Sequence, residues 1–186
     1  RLQALEAYRA VFDNGRLDAL ASEFISSQAS PSEKELLART PECLQLWQGF
    51  PWEERELLKE VVLGVIEGMR MDLACFPGET AETLNAFDHF DQLDRYCAYI
   101  GGAPGLFWTK LCLLRLPELK DGENSSLQDL GFRLGKGLQM TNILRDIAKD
   151  LRIGRCYLPL PDLKSVELTA QDLLNPSNFP KLRPVI

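Results

Sequence analysis

Histidine is nearly absent from this 186-residue sequence, with His89 the only one. The five cysteines, Cys43, Cys75, Cys97, Cys112 and Cys156, are scattered and form no CxxC pair. Neither a zinc site nor a disulfide framework is indicated by that pattern, and buried free thiols in a reducing compartment account for it. Basic charge is also short: 21 Lys and Arg stand against 27 Asp and Glu, for a net charge of -6 and a pI near 4.9. That balance argues against nucleic acid as a partner, because binding a phosphate backbone needs a basic surface or stripe. Any anionic ligand must be held locally, by a metal or a few arginines. No apolar run approaches the roughly 20 residues of a membrane span. The longest uncharged candidate, Cys97 to Thr109, is interrupted by Gly101, Gly102, Pro104 and Gly105. No signal-peptide pattern opens the chain either. A cytoplasmic protein is expected, and peripheral contact with a membrane surface stays open where substrates or products are greasy. No feature indicates an obligate protein partner.

What is present reads as helix. By length the chain is one domain, and 45% hydrophobic residues suffice for a substantial core. Leu2 to Ile25 carries a helical apolar pattern broken near Asn14-Gly15. Asp13 and Asp18 within that break have the wrong spacing for a metal clamp and read as a solvated loop. Ser30 and Pro31 have the N-cap and first-position chemistry of a helix start. Thr40 to Pro51 reads as a connection, and Trp52 to Ala74 as a helix with acidic residues in its first turn. Ala81 to Leu116 reads as one long helical segment, in which Pro104 removes a hydrogen bond and favours a kink. Pro117 to Ser126 is a loop by composition, and a proline-punctuated tail with a short helix near Thr169 to Leu174 follows Gly154. No alternating strand pattern survives, so the fold expected is all-α, with helices around a central cavity. Arg1 already lies inside a helical pattern, and KLRPVI reads like the start of another element. The expectation is a single helical domain over 1–186, part of a longer catalytic domain cut at both ends.

One stretch, Leu134 to Pro159, organises the rest: LGKGLQMTNILRDIAKDLRIGRCYLP. On a helix, Gln139, Asn142, Asp146 and Asp150 stay within about 80° of one another and form one polar stripe. Asp146 and Asp150 are one turn apart, so their carboxylates can converge on one hard cation, with the Asn142 amide oxygen a turn earlier. On spacing alone, the interleaved Arg145, Lys149 and Arg152 favour a plainer reading, a solvated and salt-bridged face.

The whole string shifts that balance. QMTNILRDxxxD followed by GRCYLP closely resembles the second aspartate-rich region of the squalene and phytoene synthases, the head-to-head prenyl synthases. YCAYIGGAPG resembles the YCxxVAGxVG string of the same family, with Tyr96, Cys97, Gly102 and Gly105 matching outright and Pro104 departing. Met69-Arg70-Met71-Asp72 resembles the Met-x-x-Asp that closes a helix there; read alone, Asp72 is equally a structural partner of Arg70 or Arg95. The first DxxxD motif of that family is absent from this sequence.

The resemblance implies the isoprenoid-synthase fold and a Mg²⁺-dependent condensation of two prenyl diphosphates. It implies Asp146, Asp150 and Asn142 as metal ligands, with Gln139 and Arg145 beside them and Arg155 and Tyr157 closing over the diphosphate. It places Tyr96 near the reacting carbons as a catalytic residue with Asp146 and Asp150, and Ile100, Gly101, Gly102, Gly105, Trp108 and Leu138 against the prenyl chains. Read from residues alone, the glycines serve helix packing, Arg155 a helix-terminal salt bridge and Tyr157 the core. Squalene from two farnesyl diphosphates is the product expected, because the string looks closest to bacterial squalene synthases. Phytoene or dehydrosqualene is the alternative, NADPH is a cofactor only if a reduction follows, and a non-catalytic assembly or scaffold protein of the family is the reading of a different class.

Overall fold

The computed structural model describes residues 1–14, 22–28, 30–119 and 124–185. Asp18 and residue 15 of the Asn14-Gly15 break lie outside the described residues, as do residues 120–123 of the expected polar loop and the last residue of KLRPVI. The chain forms two compact units, Arg1–Ile66 and Glu67–Ile186. The fold is all-α, of the isoprenoid-synthase type, with one minimal sheet.

The first unit holds α1 (Leu2–Asn14), α2 (Ser22–Ser26), α3 (Pro31–Ala38), α4 (Thr40–Gln48) and the start of α5 (Trp52–Cys75). Ser30 caps α3 as its sequence suggests, its hydroxyl accepting from the Glu33 N–H at 3.4 Å. The expected connection after Thr40 is instead the helix α4, begun by Pro41 in its first turn. Tyr8 and Thr40 join hydroxyls at 2.8 Å, and Phe12 meets Trp47 edge to face at 5.2 Å. The acidic first turn of α5, Glu53 and Glu54, complements the positive end of the helix dipole.

The second unit carries the remainder of α5, then β1 (Asn85–Phe87), α6 (Phe90–Cys97), α7 (Ala103–Arg115), α8 (Asn124–Arg152), β2 (Arg155–Pro159) and α9 (Leu160–Ser165). The long helical segment expected from Ala81 to Leu116 holds from Phe90 to Arg115 and is corrected at its start, where Ala81–Thr83 is a 3₁₀ turn and Asn85–Phe87 a strand. Asn85–Phe87 leaves the helical path because it pairs in parallel with β2, Asn85 opposite Arg155 and Ala86 opposite Cys156. His89 and Gln92 then form a capping box that restarts the chain as α6. Between α6 and α7 runs a π-helical turn, Ala98–Gly102, with right-handed helical angles at both ends, so the chain stays helical and Pro104, two residues past the turn, has its missing N–H where the hydrogen-bond ladder is already shifted. The expected absence of strands is likewise corrected: Asn85–Phe87 is too short to show alternation, and β2 is buried at every position and shows none.

Gly154 makes the turn from α8 into β2. Its φ of 81° is the left-handed conformation that suits glycine, and a Cβ there would lie 2.9 Å from the Thr80 carbonyl oxygen. A core of Leu84, Ala86, Leu151, Cys156, Leu158, Leu163, Leu168 and Leu173 surrounds the strands. In the tail, Gln171–Leu174 is a 3₁₀ turn inside the expected Thr169 to Leu174 stretch. Among the described residues no helix is long and apolar enough to cross a membrane.

Candidate functional site

The site is built on the crossing of α7 and its preceding π turn over α8. Gly101 and Gly105, four residues apart, face Gly131 and Gly135, also four apart. A Cβ on Gly101 would collide with the Gly135 carbonyl oxygen, and one on Gly105 with that of Gly131. Two backbones therefore touch where ordinary side chains would hold them apart. The packing reading of these glycines is the one realised at the crossing, and the same glycines line an adjoining groove.

That groove has a volume of about 350 Å³, within the range of small-molecule sites. Ile100, Pro104, Trp108 and Thr109 line it from one helix and Leu134, Leu138, Gln139 and Asn142 from the other. Trp108, Leu134 and Leu138 are 63%, 65% and 59% exposed, so the lining is apolar surface open to solvent. Seven residues singled out from the sequence meet here: Ile100, Gly101, Gly105, Trp108, Leu138, Gln139 and Asn142. Gly102 does not line the groove; it is buried, and a Cβ on it would strike the Phe132 ring. Sequence reasoning missed Pro104, Thr109, Gly131, Leu134 and Gly135 as lining residues. The four-residue spacing of Gly131 and Gly135, matching that of Gly101 and Gly105, is the signal that points to them.

Further along α8, Asp146 and Asp150 continue the stripe from Asn142 at successive turns. Arg145 grips Asp146, Nε donating to Oδ1 at 3.0 Å and Nη2 to Oδ2 at 2.8 Å, and so holds that carboxyl below its ordinary range. Asp150 is shifted the other way. Burial raises it, the Asp146 charge adds to the shift and Asp72 adds again, while Lys149 and Arg155 oppose. Two carboxylates and an amide oxygen at one-turn intervals are hard donors that suit Mg²⁺, and a cation between the carboxylates would relieve the repulsion felt at Asp150. Among the described residues no cluster of three or more His, Cys, Asp or Glu side chains is placed to hold a metal ion. The stripe is a partial donor set.

Tyr96, Arg155 and Tyr157 occupy the core and not the groove. Asp72, at the end of α5, draws them together. Arg155 donates from Nε to Asp72 Oδ2 at 2.9 Å, its Nη2 lies 2.9 Å from the same oxygen, and its Nη1 donates to the Ile153 carbonyl at 3.0 Å. Tyr157 Oη donates to Asp72 Oδ1 at 2.6 Å, and Tyr96 Oη donates to Tyr157 Oη at 3.3 Å. The tyrosine rings stack at 4.8 Å and 15°, with Phe76 and Phe87 against them. The sequence offered Arg70 or Arg95 as partners for Asp72; the partner is Arg155, 83 residues away, while Arg70 pairs with Glu67. Burial pushes the Tyr96 hydroxyl up to about 12, and Asp72 and Asp150 add to that while the Tyr157 hydrogen bond opposes it. Tyr157 is raised further, first by burial. Burial works against the Arg155 cation, but Asp72 outweighs it and the guanidinium is held above its ordinary value.

The chain is similar in sequence to several known proteins. A phytoene synthase of an Oncidium hybrid cultivar is 35% identical over 111 residues, 60% of this chain and 24% of that protein. The phytoene synthase of Arthrospira platensis is 36% identical over 116 residues, 60% of this chain and 35% of that protein. Phytoene synthase 2 of Oryza sativa is 37% identical over 109 residues, 59% of this chain and 25% of that protein. The matched stretch thus spans between about a quarter and a third of these relatives. The profile of the squalene/phytoene synthases matches residues 1–186, the whole sequence, and the chain belongs to the squalene/phytoene synthase family.

Proposed function

We propose that the protein is a head-to-head prenyl synthase that joins two prenyl diphosphates, and that its product is of the phytoene type. The observation that carries this reading is one helix face: Leu134, Leu138, Gln139, Asn142, Asp146 and Asp150 run along α8 from an open apolar groove into an acidic stripe. A greasy chain ending in a diphosphate has that same order of chemistry. The similar proteins named as phytoene synthases favour the C40 alternative, from two geranylgeranyl diphosphates, over the squalene expected from the motif alone.

Asp146, Asp150 and Asn142 would hold Mg²⁺, with Gln139 at the border between stripe and groove. When bound, the metal supplies positive charge that neutralises the diphosphate leaving group. The protein's own residues do the rest. Trp108, Leu134, Leu138 and Ile100 offer apolar surface to the prenyl chains, and the glycine crossing lets a chain lie close to the backbone. Tyr96 lies in the core cluster against which Ile100 of the groove packs, and a substrate reaching past Ile100 would find there an aromatic ring and a protonated hydroxyl, a neutral environment for an allylic cation. Arg145 stays with Asp146 at the solvent edge.

Mass spectrometry of products from the full-length protein with Mg²⁺ tests this. Incubation with geranylgeranyl diphosphate and no NADPH is expected to give a C40 hydrocarbon. A C30 product that forms from farnesyl diphosphate and needs NADPH to become squalene would restore the squalene reading. A C30 product without NADPH would point to dehydrosqualene, and no prenyl product from either substrate would support a scaffold role.

A further inference from the structure

Asp72 touches Arg155 and Tyr157, and the order of its hydrogen bonds is fixed by donor inventory. A guanidinium has donors only, so the Asp72 carboxylate facing Arg155 is an acceptor. Tyr157 has one hydroxyl proton and spends it on Asp72 Oδ1 at 2.6 Å. Its oxygen is then available to Tyr96 only as an acceptor, and it takes the Tyr96 proton at 3.3 Å. The stacked rings leave the pair little room to rearrange, and the Asp72 and Arg155 side chains are 14% and 10% exposed, so water does not readily replace either partner.

We propose that Asp72 is a positioning residue for Tyr96: through Tyr157 it turns the Tyr96 O–H inward and leaves the Tyr96 oxygen lone pairs, not its proton, for the reaction. This rests on the transferase reading above. In it, Arg155 is the counter-ion that keeps Asp72 an acceptor, with Nε, Nη1 and Nη2 all engaged within the protein. Tyr96 consequently turns oxygen lone pairs, and not its proton, toward the positive charge that develops when the diphosphate leaves.

The test is a comparison of backgrounds in the full-length protein with Mg²⁺ and geranylgeranyl diphosphate. Tyr157→Phe keeps the ring stack and removes the link; it is expected to lower kcat about ten-fold at unchanged KM, the worth of one hydrogen bond. In a Tyr96→Phe background the same substitution is expected to have no further effect. Equal losses in both backgrounds, or a change confined to KM, would overturn the proposal. A second arm needs no turnover. In protein labelled at the tyrosine ring carbons, Asp72→Asn is expected to shift the hydroxyl-bearing carbon resonances of both Tyr157 and Tyr96, and in Asp72→Asn/Tyr157→Phe the Tyr96 resonance is expected to stay where Tyr157→Phe alone puts it. A shift that stops at Tyr157 would overturn the proposal. A wild-type protein that forms no prenyl product while the shift still reaches Tyr96 would remove the transferase reading and leave the hydrogen-bond order standing.

Discussion

Asp72 and Asp150 are both partly withdrawn from water and both lie in the second unit, yet their surroundings differ. Asp72 receives the Arg155 guanidinium and the Tyr157 hydroxyl, so its charge is answered within the protein. Asp150 has burial and the like charge of Asp146 raising it, with Lys149 and Arg155 acting only as opposing charges at a distance. A carboxylate that the fold satisfies holds its neighbours in place, whereas one raised by burial and a like charge is a place where an external cation adds stability. The contrast separates two motifs that look alike in the sequence, each an aspartate near arginines.

Substitution should expose that difference most sharply in activity. Asp150→Asn is expected to lower product formation by on the order of a hundred-fold while the denaturant midpoint holds or rises, since a like-charge contact is removed. A midpoint that falls as far as that of an Asp72 variant would erase the distinction. Asp72→Ala should show the opposite emphasis. Leaving the Arg155 charge buried without its partner is expected to cost about 3 kcal/mol in urea unfolding. The glycines give a smaller pair: Gly135→Ala must push apart two touching backbones and should cost about 2 kcal/mol. Gly137, with open space around its Cβ position, should gain about 0.5 to 1 kcal/mol when replaced by Ala in a helix.

A further effect is in pH. Below pH 10 the Tyr96 hydroxyl is neutral in folded and unfolded chains alike, so it contributes no pH dependence. Between 10 and about 12 only the unfolded chain ionises it, so stability falls across that window. Unfolding monitored by circular dichroism should show the fall, and Tyr96→Phe should reduce it.

Much of this arrangement was legible from local chemistry. Periodicity located α8 and its stripe, and the Ser30 cap and the Gly154 stop were readable because capping and left-handed turns are properties of one or two residues. Asn85–Phe87 escaped because a three-residue strand exists only through its pairing with β2, and no local pattern marks it. The partner of Asp72 escaped for the same reason: Arg70 is near in sequence, but the parallel pairing of β1 with β2 helps bring Arg155 to the end of α5. The glycines were readable as a close approach, while what approaches them, Gly131 and Gly135 of α8, is a tertiary fact. The groove residues were legible largely through family resemblance, because an exposed Trp108 or Leu138 has no periodic signature of its own.

The proposed role of Asn142, Asp146 and Asp150 is to hold a metal-bound diphosphate. Thermal unfolding of the full-length protein with a non-hydrolysable geranylgeranyl diphosphate analogue, with and without Mg²⁺, tests it most directly. The expected result is a rise in Tm that requires both components and disappears in Asp146→Asn/Asp150→Asn. A rise that is independent of Mg²⁺, or that survives in the double variant, would contradict it.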